Sequence, residues 1–169
     1  ADLLIETLHA QGIPVREVAA ASFWNVGATR FEVLHPAFDW HPEASDNARS
    51  LVLDVRSLGR RLLLTGDLDQ LGLVELTSRP APEPPIDVML APHHGGRSAN
   101  PAWLYDWARA RVVAVSQKPP FPGGSDALTP LERKDILLLR TWRTGAIHLR
   151  WTAEGIVARW FVDAGERTE

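Results

Sequence analysis

The sequence predicts a mixed α/β fold, a single domain in which helices interleave with the strands of a largely buried sheet, and three observations predict it. Helical-period segments alternate with short Val/Leu-rich runs along the chain. At least two pairs of those runs are joined by turns too short for a parallel crossover, so the sheet is mixed, of the α/β or α+β kind. With 169 residues and 45% hydrophobic content, the chain is long enough to bury one core.

Taken in order, residues 2–11 set Leu4 and Leu8 at helical spacing, and Gly12 followed by Pro14 stops that helix ahead of a short strand over 15–18. Residues 29–34 alternate with Phe31 and Val33 on one face, and residues 50–55 form a dense Leu/Val run. Both are expected as strands, separated by a polar loop over 35–49. A turn at 57–59 joins the second strand to 61–64 as an antiparallel hairpin that delivers Gly66 and Asp67 at a strand end. A helix is expected over 68–77. The prolines of 80–85 are a connector, because residues 86–90 resume at once as a strand ending at Pro92-His93-His94. A helix around 101–109 leads into a strand over 111–116 and a loop over 117–125. Thr129-Pro130-Leu131-Glu132 has the cap-and-box pattern of a helix start with Pro at the first position, and this helix is expected to run to about Arg140. Residues 146–151 and 156–162 alternate around a turn at 152–155 and predict a terminal β-hairpin.

A net charge of −3 and a pI near 6.1 exclude a global basic field that would hold nucleic acid by counterion release alone, so any DNA contact is local. Cysteine is absent, which leaves no disulfide partners and restricts metal ligands to His, Asp and Glu. No apolar run reaches the roughly 18–20 residues that span a bilayer. The chain lacks an initiator Met and opens inside a helical pattern, so it is expected to be cut from a longer protein.

Chemistry concentrates in three places. In Leu62-Leu63-Leu64-Thr65-Gly66-Asp67 an apolar strand stops at Gly and presents an acid that can reach a metal, or that only ends the strand in a turn or caps the next helix. In His93-His94-Gly95-Gly96 a histidine pair follows a strand directly, flanked by glycines that keep the position open, with Ser98 just beyond; the alternative is a surface loop with two incidental histidines. On an extended chain the two rings point apart, so one is free to ligate while the other faces substrate or supports the site. Together these motifs offer O and N ligands at neighbouring strand ends, suited to Zn or Mn. The third place is Ser45-Asp46-Asn47-Ala48-Arg49-Ser50, where Asn47, Arg49 and Ser50 have the donors for a phosphate but also the makings of an Asx-type turn. His35 and His41 are expected in the long loop, His148 on the outer face of the terminal hairpin and His9 on the first helix. Trp142, Trp151 and Trp160 suit either base stacking or core packing.

The ordered succession Asp46-Asn47-Ala48-Arg49-Ser50-Leu51-Val52-Leu53, Leu63-Leu64-Thr65-Gly66-Asp67-Leu68 and Ala91-Pro92-His93-His94-Gly95-Gly96 resembles the metallo-β-lactamase-like domain of ComEC-type DNA-internalisation proteins. The resemblance covers most of residues 12–151 and extends to Phe31-Glu32-Val33-Leu34-His35-Pro36 and Arg140-Thr141-Trp142-Arg143-Thr144-Gly145-Ala146. It implies that residues 1–169 are a single partial domain, the C-terminal half of an αβ/βα sandwich whose HxHxDH metal motif would lie upstream. The family's usual HHGS reads His93-His94-Gly95-Gly96 here, and after Val115-Ser116 the expected Asn and Gly-His-Pro are replaced by residues 117–125. For the complete domain the resemblance implies two divalent ions, Zn or Mn, with the carboxylate of Asp67 and His93 or His94 among the ligands. It further implies a metal-activated water that attacks a phosphodiester. These three residues would be catalytic, and Asn47, Arg49, Ser50, Gly95, Gly96 and Ser98 would handle substrate. The implied partners are DNA, the N-terminal half of the same domain and a membrane channel in the parent protein, with this domain outside the cytoplasmic membrane. The fragment alone is expected to bind metal weakly or not at all and to be inactive. A catalytically silent DNA-guiding module, or a hydrolase of another ester or phosphoester, are the alternatives.

Overall fold

The structure, a computed structural model, describes residues 2–39, 43–120, 126–152, 154–161 and 166–168. Helix α1 (Asp2–Ala10) leads by an exposed segment to strands β1 (Phe23–Val26), β2 (Thr29–His35), β3 (Val52–Ser57) and β4 (Arg60–Leu64). Then come α2 (Gln70–Ser78), β5 (Val88–Leu90), α3 (Ala102–Ala108), β6 (Val112–Val115), β7 (Leu137–Arg140), the single turn α4 (Thr141–Thr144), β8 (Ile147–Trp151), β9 (Ile156–Trp160) and β10 (Glu166–Thr168). Strands β1 to β7 form a seven-stranded sheet in sequence order. It is antiparallel from β1 to β4 and parallel from β4 to β7, so the expected mixed α/β class is observed.

Successive residues of a strand face opposite sides of a sheet, and the central strands use both sides. Leu63, Met89, Val113 and Val115 join Leu68, Leu73, Leu76, Leu104 and Tyr105 in a core beneath α2 and α3. Their neighbours Leu62, Val88, Val112 and Leu139 turn the other way, onto Ile147, Leu149, Trp151, Ile156, Ala158 and Trp160 of a second sheet ordered β10-β9-β8. The result is three layers: helices, the long sheet and the short sheet. Trp151 and Trp160 therefore pack in this second core, while His148 is exposed on the outer face of β8 as expected.

Several expected elements change. Residues 15–18 form no strand: 15–17 are exposed, 18 is half-buried, and none pairs with a described strand. Instead β1 pairs with β2 through a turn at Gly27, and the Trp24 and Phe31 rings stack with centroids 5.3 Å apart. His35 is not a loop residue. It ends β2, is fully buried, and its Nε2–H donates to the Ala48 carbonyl at 2.8 Å. His41 and residues 121–125 lie outside the described residues. The helix expected over 129–140 is one 3-10 stretch, Thr129–Lys134, closed by Asp135 in the left-handed region. Its apolar continuation, Leu137-Leu138-Leu139, becomes β7, because pairing with β6 buries both faces of that run where an exposed helix would bury one. Glu132 does not close a capping box but pairs with the buried Arg140 at 2.6 Å.

Candidate functional site

Four loops meet at the carboxyl ends of β4, β5, β6 and β7, the consecutive parallel strands, which is where ligands bind in sheets of this kind. The first loop begins at the buried Thr65, whose hydroxyl donates to the Leu90 carbonyl at 2.8 Å and ties the end of β4 to the end of β5. At Gly66, φ is +54°, and a Cβ would stand 3.3 Å from the Ser50 Cβ, so glycine lets the 45–50 segment close against this strand end. The Gly66 carbonyl then accepts from the His93 N–H at 3.1 Å. Asp67 and the histidine pair are thereby held side by side.

His93 and His94 are not extended. Both adopt the left-handed region (φ 47° and 53°), at a cost of roughly 1–2 kcal/mol each for residues with a Cβ. Asn100 offsets part of this by clamping the turn: its Nδ2 donates to the carbonyls of Pro92 (3.0 Å) and Gly96 (2.7 Å), and its Oδ1 accepts from the Tyr105 hydroxyl at 2.5 Å. Burial raises the Tyr105 pKa further above its ordinary value, which keeps that hydroxyl a donor. Gly95 has φ +77°, and a Cβ there would meet Val115 Cγ1 at 2.9 Å.

The two rings reach different carboxylates. His93 Nδ1 lies 4.0 Å from Asp69 Oδ2, and His94 Nε2 lies 3.7 Å from Asp67 Oδ1. Asp69, which sequence reasoning passed over, is the residue at the N-cap of α2, and its side chain makes no capping bond. The helix-cap reading of Asp67 is thus removed. The Thr65-Gly66-Asp67-Leu68-Asp69 spacing was the available signal. His94 Nδ1 contacts the Ser116 carbonyl at 2.8 Å. A carbonyl only accepts, so Nδ1 carries a proton, and Nε2 is the ring nitrogen turned toward Asp67. Two donors each about 2.1 Å from one Zn at a tetrahedral angle stand about 3.4 Å apart, close to the observed separation. His93 Nδ1 is buried and makes no hydrogen bond among the described residues.

The third motif is a turn. Ser45 Oγ accepts from the Ala48 N–H at 3.1 Å, and the Asn47 carbonyl accepts from the Ser50 N–H at 3.1 Å. The fold brings Ser50 against Gly66, while Arg49 is exposed and Asn47 half-buried on the same turn. Ser98 stands exposed on the 3-10 turn Arg97–Ala99, beyond the Gly95-Gly96 corner.

Beside His94 a cleft of about 600 Å³ is lined by His94, Ser116, Gln117, Lys118 and Thr141. The Gln117 backbone N–H donates to Thr141 Oγ1 (3.0 Å), and the amide orientation that satisfies both its ends donates to the His94 carbonyl (3.2 Å) and accepts from Trp142 Nε1 (3.1 Å). Sequence reasoning missed Lys118 and Thr141. Their position at the ends of parallel strands, level with the histidine motif, is the signal that locates them, and it depends on β7 being a strand.

The donor chemistry suits Zn or Mn, but only as part of a site. Among the described residues no cluster of three or more His, Cys, Asp or Glu could hold a metal ion. What exists is two histidine–carboxylate pairs, open to solvent, with His94 and Asp67 more exposed than His93 and Asp69. Among the described residues no helix is long and apolar enough to cross a membrane.

No family model matches the chain. The chain is similar to ComE operon protein 3 of Bacillus subtilis (strain 168), with 26% identity over 152 residues, 88% of this chain and 19% of that protein. It therefore spans about a fifth of that relative's length. Among solved structures it is similar to a candidate Zn-dependent hydrolase of the metallo-β-lactamase superfamily from Thermotoga maritima. Identity there is 17% and the TM-score 0.34, over 60% of this chain and 48% of the other. At that score the likeness is partial, and the fold class rests on the strand order described above.

Proposed function

We propose that this chain forms one side of a metal-dependent hydrolase site of the metallo-β-lactamase kind, within a competence protein, and that its substrate is the phosphodiester backbone of DNA during uptake. One observation carries the reading. The Ser116 carbonyl holds a proton on His94 Nδ1, which leaves Nε2 as the ring nitrogen facing Asp67 Oδ1 at 3.7 Å, a separation that a single cation can bridge. The layer order supports it too: helices, long sheet and short second sheet correspond to an αβ half with the beginning of its facing sheet. Similarity to ComE operon protein 3 supports the competence setting.

In this reading Asp67 and His94 hold the metal, and Asp69 with His93 forms a second acidic and imidazole pair beside it. A bound Zn or Mn would supply Lewis acidity and bring the pKa of a water toward neutrality. The chain's own residues orient and exclude. Ser116 aims His94, Gln117 fixes the floor of the cleft, and the Lys118 ammonium is placed to pair with a phosphate oxygen. The remaining ligands come from the N-terminal half of the domain, and the parent protein holds the domain outside the cytoplasmic membrane next to its channel.

A second reading, a DNA-guiding module without chemistry, is favoured by the lack of a three-ligand cluster among the described residues. Metal-dependent cleavage of DNA by the whole domain in its parent protein tests both. Cleavage is expected, and Asp67→Ala and His94→Ala are each expected to abolish it. Cleavage that survives both substitutions refutes the assigned roles, and DNA binding without any metal-dependent cleavage selects the guiding module.

A further inference from the structure

At the other end of β4 from Asp67 lies a pocket of about 250 Å³, on the helix side of the sheet. Three guanidinium groups line it, those of Arg56, Arg61 and Arg79, with Glu83, Leu34 and Trp107 completing the wall. The charges do not balance. Arg56 and Arg61 share the fully buried Asp54 at 2.7 and 2.6 Å, Arg56 also lies 3.7 Å from Glu32, which Arg30 contacts as well, and Glu83 is taken by Arg109 at 2.6 Å. Arg79 belongs to neither group, and its Nε is buried with no hydrogen-bond partner among the described residues.

In the loop that follows α2, the carbonyls that accept side-chain hydrogen bonds take them from residues other than Arg79. The Arg79 carbonyl accepts from Trp107 Nε1, the Pro82 carbonyl from Arg109, and the Pro84 carbonyl from Arg61. A guanidinium that leaves a buried donor without an acceptor is costly, and the same side chain lines the pocket. The C-terminal end of α2 gives Arg79 a structural role as well, through the helix dipole, but a dipole at the last turn does not satisfy Nε.

We propose that this pocket binds a phosphate group, its oxygens accepting from Arg79 and from the remaining donors of Arg56 and Arg61. A tetrahedral oxyanion suits several guanidinium forks at once. The volume exceeds that of a phosphate alone, and the Leu34 and Trp107 wall leaves an apolar surface for whatever carries it. Free phosphate and a nucleoside monophosphate share this chemistry. The site stands apart from the histidine pair and does not depend on the hydrolase reading.

The test is titration of the protein with inorganic phosphate, AMP, adenosine and, at matched ionic strength, sodium chloride, read by calorimetry and by melting temperature. Saturable binding of phosphate and AMP is expected, with none for adenosine or chloride. Tighter binding of AMP identifies a nucleotide as the source, and equal binding identifies free phosphate. Arg79→Gln is expected to weaken binding by about ten- to a hundredfold, the worth of one charged hydrogen bond. Ala81→Glu is the second variant: it sits on the exposed part of the same wall and places a carboxylate there without disturbing packing, so it is expected to weaken binding at an unchanged circular dichroism spectrum. The proposal is overturned if neither phosphate nor AMP binds saturably, or if both variants bind as tightly as the parent.

Discussion

Replacing Gly72 by alanine sets local propensity against packing, and the structure decides which wins. Gly72 lies within α2, where alanine is preferred by about 1 kcal/mol and a buried methyl adds about 0.8 kcal/mol, so sequence alone predicts a more stable protein. A Cβ at this position, however, would stand 2.4 Å from the Ala48 carbonyl oxygen and 2.4 Å from Leu68 Cδ1. Leu68 can turn away at a cost of about 1 kcal/mol. The Ala48 oxygen is backbone and must move by most of an ångström, an overpacking cost of about 1–3 kcal/mol. That same oxygen accepts the His35 Nε2–H bond, worth about 1 kcal/mol and lost if the segment shifts. The balance is a net destabilisation of about 2 kcal/mol. Urea unfolding measures it, and the His35 imidazole N–H resonance reports whether the bond is broken. A Gly72→Ala protein as stable as the parent or more so, with that resonance unmoved, refutes the packing argument.

Two further outcomes follow from buried charge. Burial lowers the His35 pKa below its ordinary 6.5, with Arg79 adding to the shift while the Ala48 carbonyl and Glu75 oppose it. The unfolded chain then takes up the proton first as pH falls. Stability should be flat above the ordinary histidine range, fall below about pH 6.5 by at most about 1.4 kcal/mol per unit, and level off below the folded pKa. His35→Gln should flatten that window in unfolding measured from pH 5 to 8; an unchanged slope contradicts the assignment. Arg140 has a side chain only 1% exposed and bonds Asp126 and Glu132, both at 2.6 Å. Arg140→Met should cost about 3–5 kcal/mol in urea unfolding, because it strands the Asp126 carboxylate, and adding Asp126→Asn should recover part of the loss. A cost below 1 kcal/mol for the single change counts against this.

How much of this was legible in the sequence depended on whether a segment's neighbours were close in the chain. The β3–β4 hairpin, α2, α3 and the β8–β9 hairpin announce themselves, since their periodicity and turns are local. Residues 137–140 did not: Leu-Leu-Leu-Arg after a good helix start reads as helix, and only pairing with β6 makes it a strand. Residues 15–18 erred in the opposite direction, with strand-like composition but nothing to pair with. His35 was misread because the residue before a proline at a loop margin looks solvated, whereas the Ala48 carbonyl that buries it lies 13 residues away. In the site, the Thr65-Gly66-Asp67 and His93-His94 motifs were visible, yet that the Ser116 carbonyl sits behind the His94 ring was not, because residue 116 lies 22 positions away. Asp69, Lys118 and Thr141 were silent for the same reason, as ordinary residue types made notable by four strand ends converging.

The most direct test of the proposed site is calorimetric titration of the 169-residue protein with Zn and with Mn, alongside Asp67→Asn, His93→Gln and His94→Gln. Two donors predict weak binding, with a Kd of about 10 μM or above, against the three or more ligands of a stable catalytic site. That binding should disappear in Asp67→Asn and His94→Gln and persist within about threefold in His93→Gln, since His94 alone has its tautomer set by a carbonyl. Submicromolar binding, or binding that depends on His93 and survives the loss of His94, would contradict the proposed site.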